Sequence, residues 1–529
     1  MKEGRGERPR GDLRVPELSA CIRGSAANGD YGGEAAGRYH IRVNASAAVP
    51  ETSPRLARWP KIASALLLSA YFLCFAWDGL GARWAEDDMM NLYGAWKPGG
   101  WQLLLAQFRP WHGDYRPLGG AFYAVLFGLF GLNPLPYRVV ILLLLGFNLW
   151  LIYRFARLLG CDERRSAVAV ILAAYHAGLG SLNYNTDAIY DILCFTFYLG
   201  AFVYYASIRR RGRLLGGWEN TAFFGLFLCA LNAKEMALTL PLVLLAYEAF
   251  YHRPVEWNWS GARAWLFGPG RLAQCAVPLD LLYLYGKKFG PNALMSMQAY
   301  QPVFSLDRFL KFQTGCIKDM LLRPAPVGTL GLLFTWTLLT WLAWRIDRPV
   351  LRFCWAFLIV TPLPIEFLEG RYQACLYIPF AALAVFAATV LVDVADAAAR
   401  SLTGLPVLRR LGRDILLAAL LIAALVPYVR ANWRIRNGLL HHALVTQGPL
   451  TWKVIQQFRA VKPKVPPGSS VVILNDPLQS YDELYIASLC LGDRSVTVHV
   501  QSVDHLPPEE IAKAPHVLIY QNGELVQIR

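Results

Sequence analysis

The chain has 529 residues, 55% of them hydrophobic and 17% charged, with a formal net charge of +15. A soluble protein holds about 25% charged residues, and the mean hydropathy here is positive, +0.32, which excludes an ordinary soluble globule. The basic balance does not point to nucleic acid, because the Arg and Lys clusters lie between apolar runs, where cytoplasmic membrane loops carry them.

Residues 1–58 are polar, rich in Gly and Arg, and lack the early apolar core of a cleavable signal peptide. They read as a disordered cytoplasmic tail. Asn44-Ala-Ser in it matches a glycosylation acceptor on the side of the membrane where it is not used. The first apolar run, Lys61–Trp77, follows Arg55, Arg58 and Lys61, so its start is cytoplasmic and the loop after it is external. Pro117–Leu132 is apolar but short and holds four glycines. A membrane-embedded or surface-lying helix there makes Tyr137–Leu159 the second span and keeps Arg154, Arg157, Arg164 and Arg165 inside.

Alternation then runs through Ser166–Leu182, Ala188–Ser207, Asn220–Asn232, Met236–Tyr251, Leu272–Gly286, Val327–Trp344, Leu351–Ile365, Cys375–Val392 and Ile415–Val429. The expected fold is a polytopic α-helical membrane protein of about 11 transmembrane helices, N-terminus inside and C-terminus outside. Its transmembrane domain covers 59–430, with a first external loop at 78–136. Arg430, Arg434 and Arg436, just outside the last span, resist this parity. Residues 431–529 read as a small extracytoplasmic α/β domain. Val471–Leu474, Ser495–Val500, Val517–Tyr520 and Leu525–Ile528 are strand-like, the last two flank a hairpin signal at Asn522-Gly523, and Ser480–Leu491 is a helix. The ten cysteines are scattered without metal or redox spacing and read as small packing residues.

On this topology one external level collects Glu86-Asp87-Asp88, Asp114 with Arg116, Asp187 and Asp191, Lys234-Glu235, Lys287-Lys288, and Glu369 with Arg371. Each alone has a plain explanation: a solvated loop start, the end of a polar turn, a snorkelling lysine, an interface anchor at Lys287-Lys288. Together they fit a polar cavity at the membrane surface. Transfer from a lipid phosphate needs a base for the incoming hydroxyl or amine, which a carboxylate supplies. It also needs stabilisation of the departing phosphate, for which the planar fork of Arg is suited. Asp87 and Asp88 are alternatively oxygen ligands for a divalent metal such as Mg or Mn.

Four stretches carry a resemblance. Asp87-Asp88 in the first external loop, Tyr115-Arg116-Pro117-Leu118, Asn232-Ala-Lys-Glu-Met-Ala-Leu-Thr-Leu-Pro, and Leu368-Glu-Gly-Arg-Tyr-Gln-Ala-Cys-Leu-Tyr-Ile-Pro stand in the order found in GT-C glycosyltransferases. The chain resembles in particular the protein O-mannosyltransferase-like group, over roughly residues 60–430. The resemblance implies surface-lying helices in the first external loop. It also implies inverting transfer of a monosaccharide from a polyprenyl- or dolichyl-phosphate donor to a protein, glycan or lipid acceptor. Asp87 is then the base and Arg371 contacts the donor phosphate, with Asp88 and Glu235 lining the cavity. Arg116, Asp191, Lys234, Glu369 and Tyr372 complete the candidate substrate-binding set. The chain departs from the pattern in the glycine between Glu369 and Arg371, and in lacking tetratricopeptide periodicity after 431.

The competing reading is a transporter or flippase of a lipid-linked anion, which calls for paired repeats that the sequence lacks. A scaffold acting through its external domain is a third, with no motif behind it. The expected setting is a bacterial inner membrane, with the site facing the periplasm or exterior, membrane lipids around it and no nucleic-acid partner. Accessibility tags at Gly212 and at the C-terminus should label from opposite sides of sealed vesicles; labelling of both from one side breaks the parity.

Overall fold

The computed structural model of the chain describes residues 58–85, 87–252, 258–291, 293–404 and 412–529. The N-terminal tail, Asn44 and Glu86 lie outside the described residues. The amino-terminal helices are α1 (Arg58–Ala76), α2 (Asp88–Trp96), α3 (Gly100–Ala106), α4 (Pro117–Phe130), α5 (Pro134–Leu158) and α6 (Glu163–Ala174). Next come α7 (Ser181–Tyr184), α8 (Ile189–Arg209), α9 (Gly217–Ala233), α10 (Leu240–Tyr251), α11 (Trp259–Phe267) and α12 (Arg271–Phe289). The remaining long helices are α13 (Leu306–Met320), α14 (Thr329–Arg345), α15 (Pro349–Val360), α16 (Tyr377–Thr403) and α17 (Arg413–Leu440).

Among the described residues, four helices are long and apolar enough to cross a membrane: α5, α8, α16 with its leading turn, and α17. At 25 residues, α5 spans roughly 37 Å at 1.5 Å per residue. The 14 residues of α4 reach only about 21 Å, short of a hydrocarbon core of about 30 Å. Its glycines have a packing reason: a Cβ on Gly119 would run into the ring of Tyr190. Around this frame α8 packs on α5 and α9, and α16 packs on α6, α15 and α17. Leu330, Leu333 and Phe334 on α14, with Ile415 and Ile422 on α17, are exposed, an apolar outer surface suited to lipid.

The eleven-span expectation is corrected at Ser166–Leu182. The helix α6 stops at Ala174, Tyr175 turns extended (φ −150°, ψ 129°), and only a short turn at Ala177–Leu179 and α7 follow. The cause is lateral: His176 bonds the Met320 carbonyl at 3.1 Å, and Gly178 sits so close to the Asp319 backbone that a Cβ there would collide. The arginines after the last span are also explained in part. Arg436 is buried, pairs with Asp78, donates to the Phe75 carbonyl at 3.2 Å and lies 4.8 Å over the Trp433 ring. It ties α17 to the end of α1 and does not report on membrane sidedness.

The helix α17 runs through the expected boundary at 430/431 to Leu440. Beyond it lie α18 (Gln447–Val461), β1 (Ser470–Leu474), α19 (Asp482–Leu491), β2 (Thr497–Val500), α20 (Gln501–Asp504), α21 (Pro508–Lys513), β3 (His516–Gln521) and β4 (Glu524–Gln527). The strands form one sheet in the order β2-β1-β3-β4. β1 pairs parallel with β2 and β3, and β3 pairs antiparallel with β4. The β3–β4 turn places Asn522 and Gly523 at φ 53° and 78°, the left-handed pair that a two-residue hairpin favours in Asn-Gly.

The sheet unit is seated on the stretch between α1 and α4. α19 packs on α2, with the Tyr93 and Tyr485 rings 5.1 Å apart. Lys97 donates to the Arg494 carbonyl at 2.7 Å, and the Arg494 guanidinium lies 5.4 Å from the Trp96 ring. Arg83 stacks 4.6 Å over Trp452, and its amide donates to the Ala443 carbonyl at 3.1 Å.

Candidate active site

Asp87 and Asp88 are adjacent in sequence and opposite in character. Asp88, the first residue of α2, is fully buried. One of its oxygens accepts from the Thr186 amide and hydroxyl, both at 2.7 Å, and from the Asp187 amide at 3.0 Å. The other accepts from the Ala85 amide and from the Arg138 guanidinium, both at 3.1 Å. Arg138, equally buried on α5, also donates to the Arg83 carbonyl at 2.9 Å. Tyr123 extends the net by donating to the Thr186 hydroxyl at 3.1 Å. Five donors use up the hydrogen-bonding capacity of one carboxylate, so Asp88 anchors the loop.

Asp87 is left exposed at the start of α2. Partial burial pushes its carboxyl above the ordinary aspartate range, the Asp88 charge adds to this, and the Arg371 guanidinium pulls the other way. The two acids therefore do not present a chelating pair, because Asp88 has no lone pair facing outward. Among the described residues, no three His, Cys, Asp or Glu side chains are grouped to hold a metal ion. The residues present do not fit the divalent metal that the adjacent carboxylates implied.

The polar residues between α8, α9 and α10 cancel in pairs. The helix α9 ends at Ala233, Lys234 is extended (φ −163°, ψ 151°), and a 3-10 turn over Glu235–Thr239 leads into α10. That break turns Lys234 and Glu235 to different partners. Lys234 donates to both oxygens of Asp191 at 2.7 Å, and to the Cys375 sulfur at 3.2 Å. Glu235 takes a two-point contact from Arg116, Nε at 3.2 Å and Nη2 at 2.8 Å. All four side chains are buried. Buried charges of this kind persist when paired and hydrogen-bonded, and the expected binding residues Arg116, Asp191, Lys234 and Glu235 are answered by each other.

Arg116 is held from both ends. Its backbone is left-handed at φ 40° before Pro117, a conformation uncommon outside glycine. Its guanidinium donates to the Tyr115 hydroxyl oxygen at 3.0 Å and lies against the faces of Tyr115, Tyr190 and Tyr300. Arg371 approaches the same aromatic group, 4.3 Å over Tyr300, with a 3.4 Å bond to the Ala299 carbonyl. Glu369 stands at the exposed rim and pairs with Arg308 at 3.3 Å, away from the acid pair. Tyr372 stacks on Phe312, ring centres 5.8 Å apart, and donates to the Lys311 carbonyl at 3.3 Å.

Three residues outside the expected set belong here. Arg138 and Tyr300 have just been described; a charge one residue into the apolar run Tyr137–Leu159 was a legible signal for Arg138, whereas nothing local marks Tyr300. Lys287, expected as an interface anchor, is buried, donates to the Asp114 carbonyl and lies 5.0 Å over the Tyr283 ring. Lys287 therefore faces inward.

No protein-family model matches the chain, and no curated protein matches it. Solved structures do. ArnT from Cupriavidus metallidurans in the apo state is 13% identical with a TM-score of 0.48, over 89% of this chain and 94% of that one. ArnT bound to undecaprenyl phosphate is 13% identical with a TM-score of 0.47, over 88% and 94%. An Archaeoglobus fulgidus oligosaccharyltransferase in the apo form is 10% identical with a TM-score of 0.49, over 84% of this chain and 65% of that one. Scores of this size describe a loose likeness in the course of the chain and nothing finer.

Arg138→Ala leaves the Asp88 carboxylate buried without its cation, which costs about 3–5 kcal/mol. A lowered unfolding temperature in detergent is expected, and Asp88→Asn should lower it as well, because it leaves the buried Arg138 guanidinium without its anion and turns an amide NH2 toward donors. An unchanged unfolding temperature in both variants would remove the ion pair from the account.

Proposed function

We propose that the protein is a membrane glycosyltransferase that moves a monosaccharide from a polyprenyl-phosphate donor to an acceptor on the non-cytoplasmic face. The observation that carries this reading is the division of labour in the acid pair. Asp88 is consumed in holding the loop, and Asp87 is left exposed, with its pKa raised, within the field of Arg371. A carboxylate that binds its proton more strongly than usual is a better base. A guanidinium nearby matches a leaving phosphate.

In this reading Asp87 takes the proton from the acceptor hydroxyl or amine as its oxygen or nitrogen bonds to the anomeric carbon. The bond from that carbon to the phosphate oxygen breaks on the opposite face, so configuration inverts. The electron pair leaves with the polyprenyl phosphate, whose added charge Arg371 and the inward-facing Lys287 offset. Arg116 acts through the tyrosines it holds, Tyr115 and Tyr300, which shape the wall against which Arg371 rests. Asp191 cancels Lys234 and Glu235 cancels Arg116, so that wall is neutral overall. Glu369 and Tyr372 shape the rim. The O-mannosyltransferase-like resemblance of the sequence points to a hexose or pentose as the transferred unit, and to a protein, glycan or lipid as acceptor. The site then faces the periplasm or exterior of a bacterial inner membrane.

Purified protein given polyprenyl-phosphate sugars should lose about 100-fold or more in turnover with Asp87→Asn, the usual scale for a general base. Arg371→Ala should raise the donor KM and also lower turnover, because the charge it offsets grows as the phosphate leaves. Full activity in Asp87→Asn removes the base assignment. Because Asp87 works only when ionised and its pKa is raised, activity should fall with acidification at a higher pH than an ordinary aspartate would give, read from kcat/KM against pH.

A further inference from the structure

The sheet unit has no role in the reading above, yet it is bolted to the loop that carries Asp87. The seam is built from specific contacts: the Tyr93–Tyr485 ring pair, Lys97 on the Arg494 carbonyl, Arg494 on Trp96 and Arg83 on Trp452. Asp482 opens α19, and Tyr485 stands three residues further on the same helix face. Tyr485 meets Tyr93, and Arg494 beyond the end of α19 meets Trp96 and Lys97 at the end of α2, so the two helices run the same way and Asp482 lies toward the start of α2, where Asp87 and Asp88 lie. Gln447, from α18, bonds the Asp482 carboxyl at 3.4 Å and steadies it there.

We propose that Asp482 is a positioning residue of the active site, supplied by the C-terminal sheet unit, whose charge acts on the donor through Asp87. This rests on the lipid-phosphate-sugar reading. The groups around Asp482 are few. The Asp87 and Asp88 charges act on it from the α2 side, with Arg138 bound to Asp88 and Arg371 in the field of Asp87. Gln447 faces it from α18, and Ser480 accepts its amide at 3.3 Å. Tyr481 and Tyr485 are on its own segment, and Glu483 beside it is turned inward to Tyr520 and pushed up to about 8 by burial.

The electrostatics agree with the geometry. Burial first, and then the Asp88 and Asp87 charges against the pull of Gln447, push the Asp482 carboxyl up to about 6. Its folded value lies above its ordinary one, so the seam holds the proton. The cost of ionising Asp482 grows as pH rises from the ordinary aspartate range and is complete above about 6. Above that pH a second negative charge stands beside Asp87, where an anionic donor has to arrive. A phosphodiester donor keeps constant charge across this range, so a pH dependence of its binding reports on the protein.

The test compares the full-length wild type with Asp482→Asn and Asp482→Glu, reading KM for a polyprenyl-phosphate sugar at pH 5 and pH 8. The wild type should show a donor KM about 3-fold higher at pH 8, the size expected of one charge acting through partly aqueous surroundings. Asp482→Asn should flatten that ratio while keeping kcat within about 2-fold at pH 5, and Asp482→Glu should restore the rise. A merely structural Asp482 would alter kcat or stability and leave the ratio unchanged. An Asp482→Asn enzyme with the wild-type ratio, or an Asp482→Glu enzyme with a flat one, overturns the proposal. A wild type inactive on lipid-phosphate sugars overturns the functional reading instead, so the two failures are distinguishable.

Discussion

The burial of Asp88 against Arg138 is the constraint on which the site depends. A carboxylate removed from water is tolerated only where its lone pairs are filled, and this one is filled from three directions: its own loop, α5 and the turn at Thr186. The requirement fixes where α2 begins. Because α2 begins there, the preceding residue is left exposed. The chemistry assigned to Asp87 is thus a by-product of the packing of its neighbour. The same logic runs through the paired charges deeper in. Arg116 with Glu235 and Lys234 with Asp191 bring four ionised groups into one region at no net charge, leaving Arg371 and Lys287 as the cations whose partners here are carbonyls and rings.

Much of this frame could be read from the sequence, and the reasons for the failures are physical. Apolar runs marked most helices because the hydrophobic signal is local. The β-branched segments of the last hundred residues coincide with strands, and Asn522-Gly523 with their turn, because left-handed backbone selects those residues. Ser166–Leu182 misled, since what ends α6 is the distant helix α13, and no local composition encodes that contact. Arg436 resisted a rule about loops because it is a buried tie to Asp78. Charge-based topology counts positive residues and cannot know which of them are already spoken for.

At the site, residue types were legible and pairings were not. Arg116 pairs with Glu235, and the Arg371 charge acts on Asp87, but sequence alone did not separate a saturated carboxylate from an available one. Two adjacent aspartates look alike until the donors around each are counted. Tyr300 was invisible for a related reason. It lies in a loop without a pattern, and its importance comes from having guanidinium groups on its ring.

The span between Asp88 and its partners has a consequence for how the molecule comes into being. Thr186 follows Asp88 by 98 positions, which at a synthesis rate of 5–20 residues per second is roughly 5–20 s of waiting for the carboxylate. During that interval the first loop has emerged and its acid has no cage, so it stays hydrated and its helix start unfixed. Arg494, which is gripped by Lys97, arrives 397 positions after it. The loop that carries Asp87 therefore gains its last support only when the chain is almost complete, so its final placement waits on the C-terminal sheet unit.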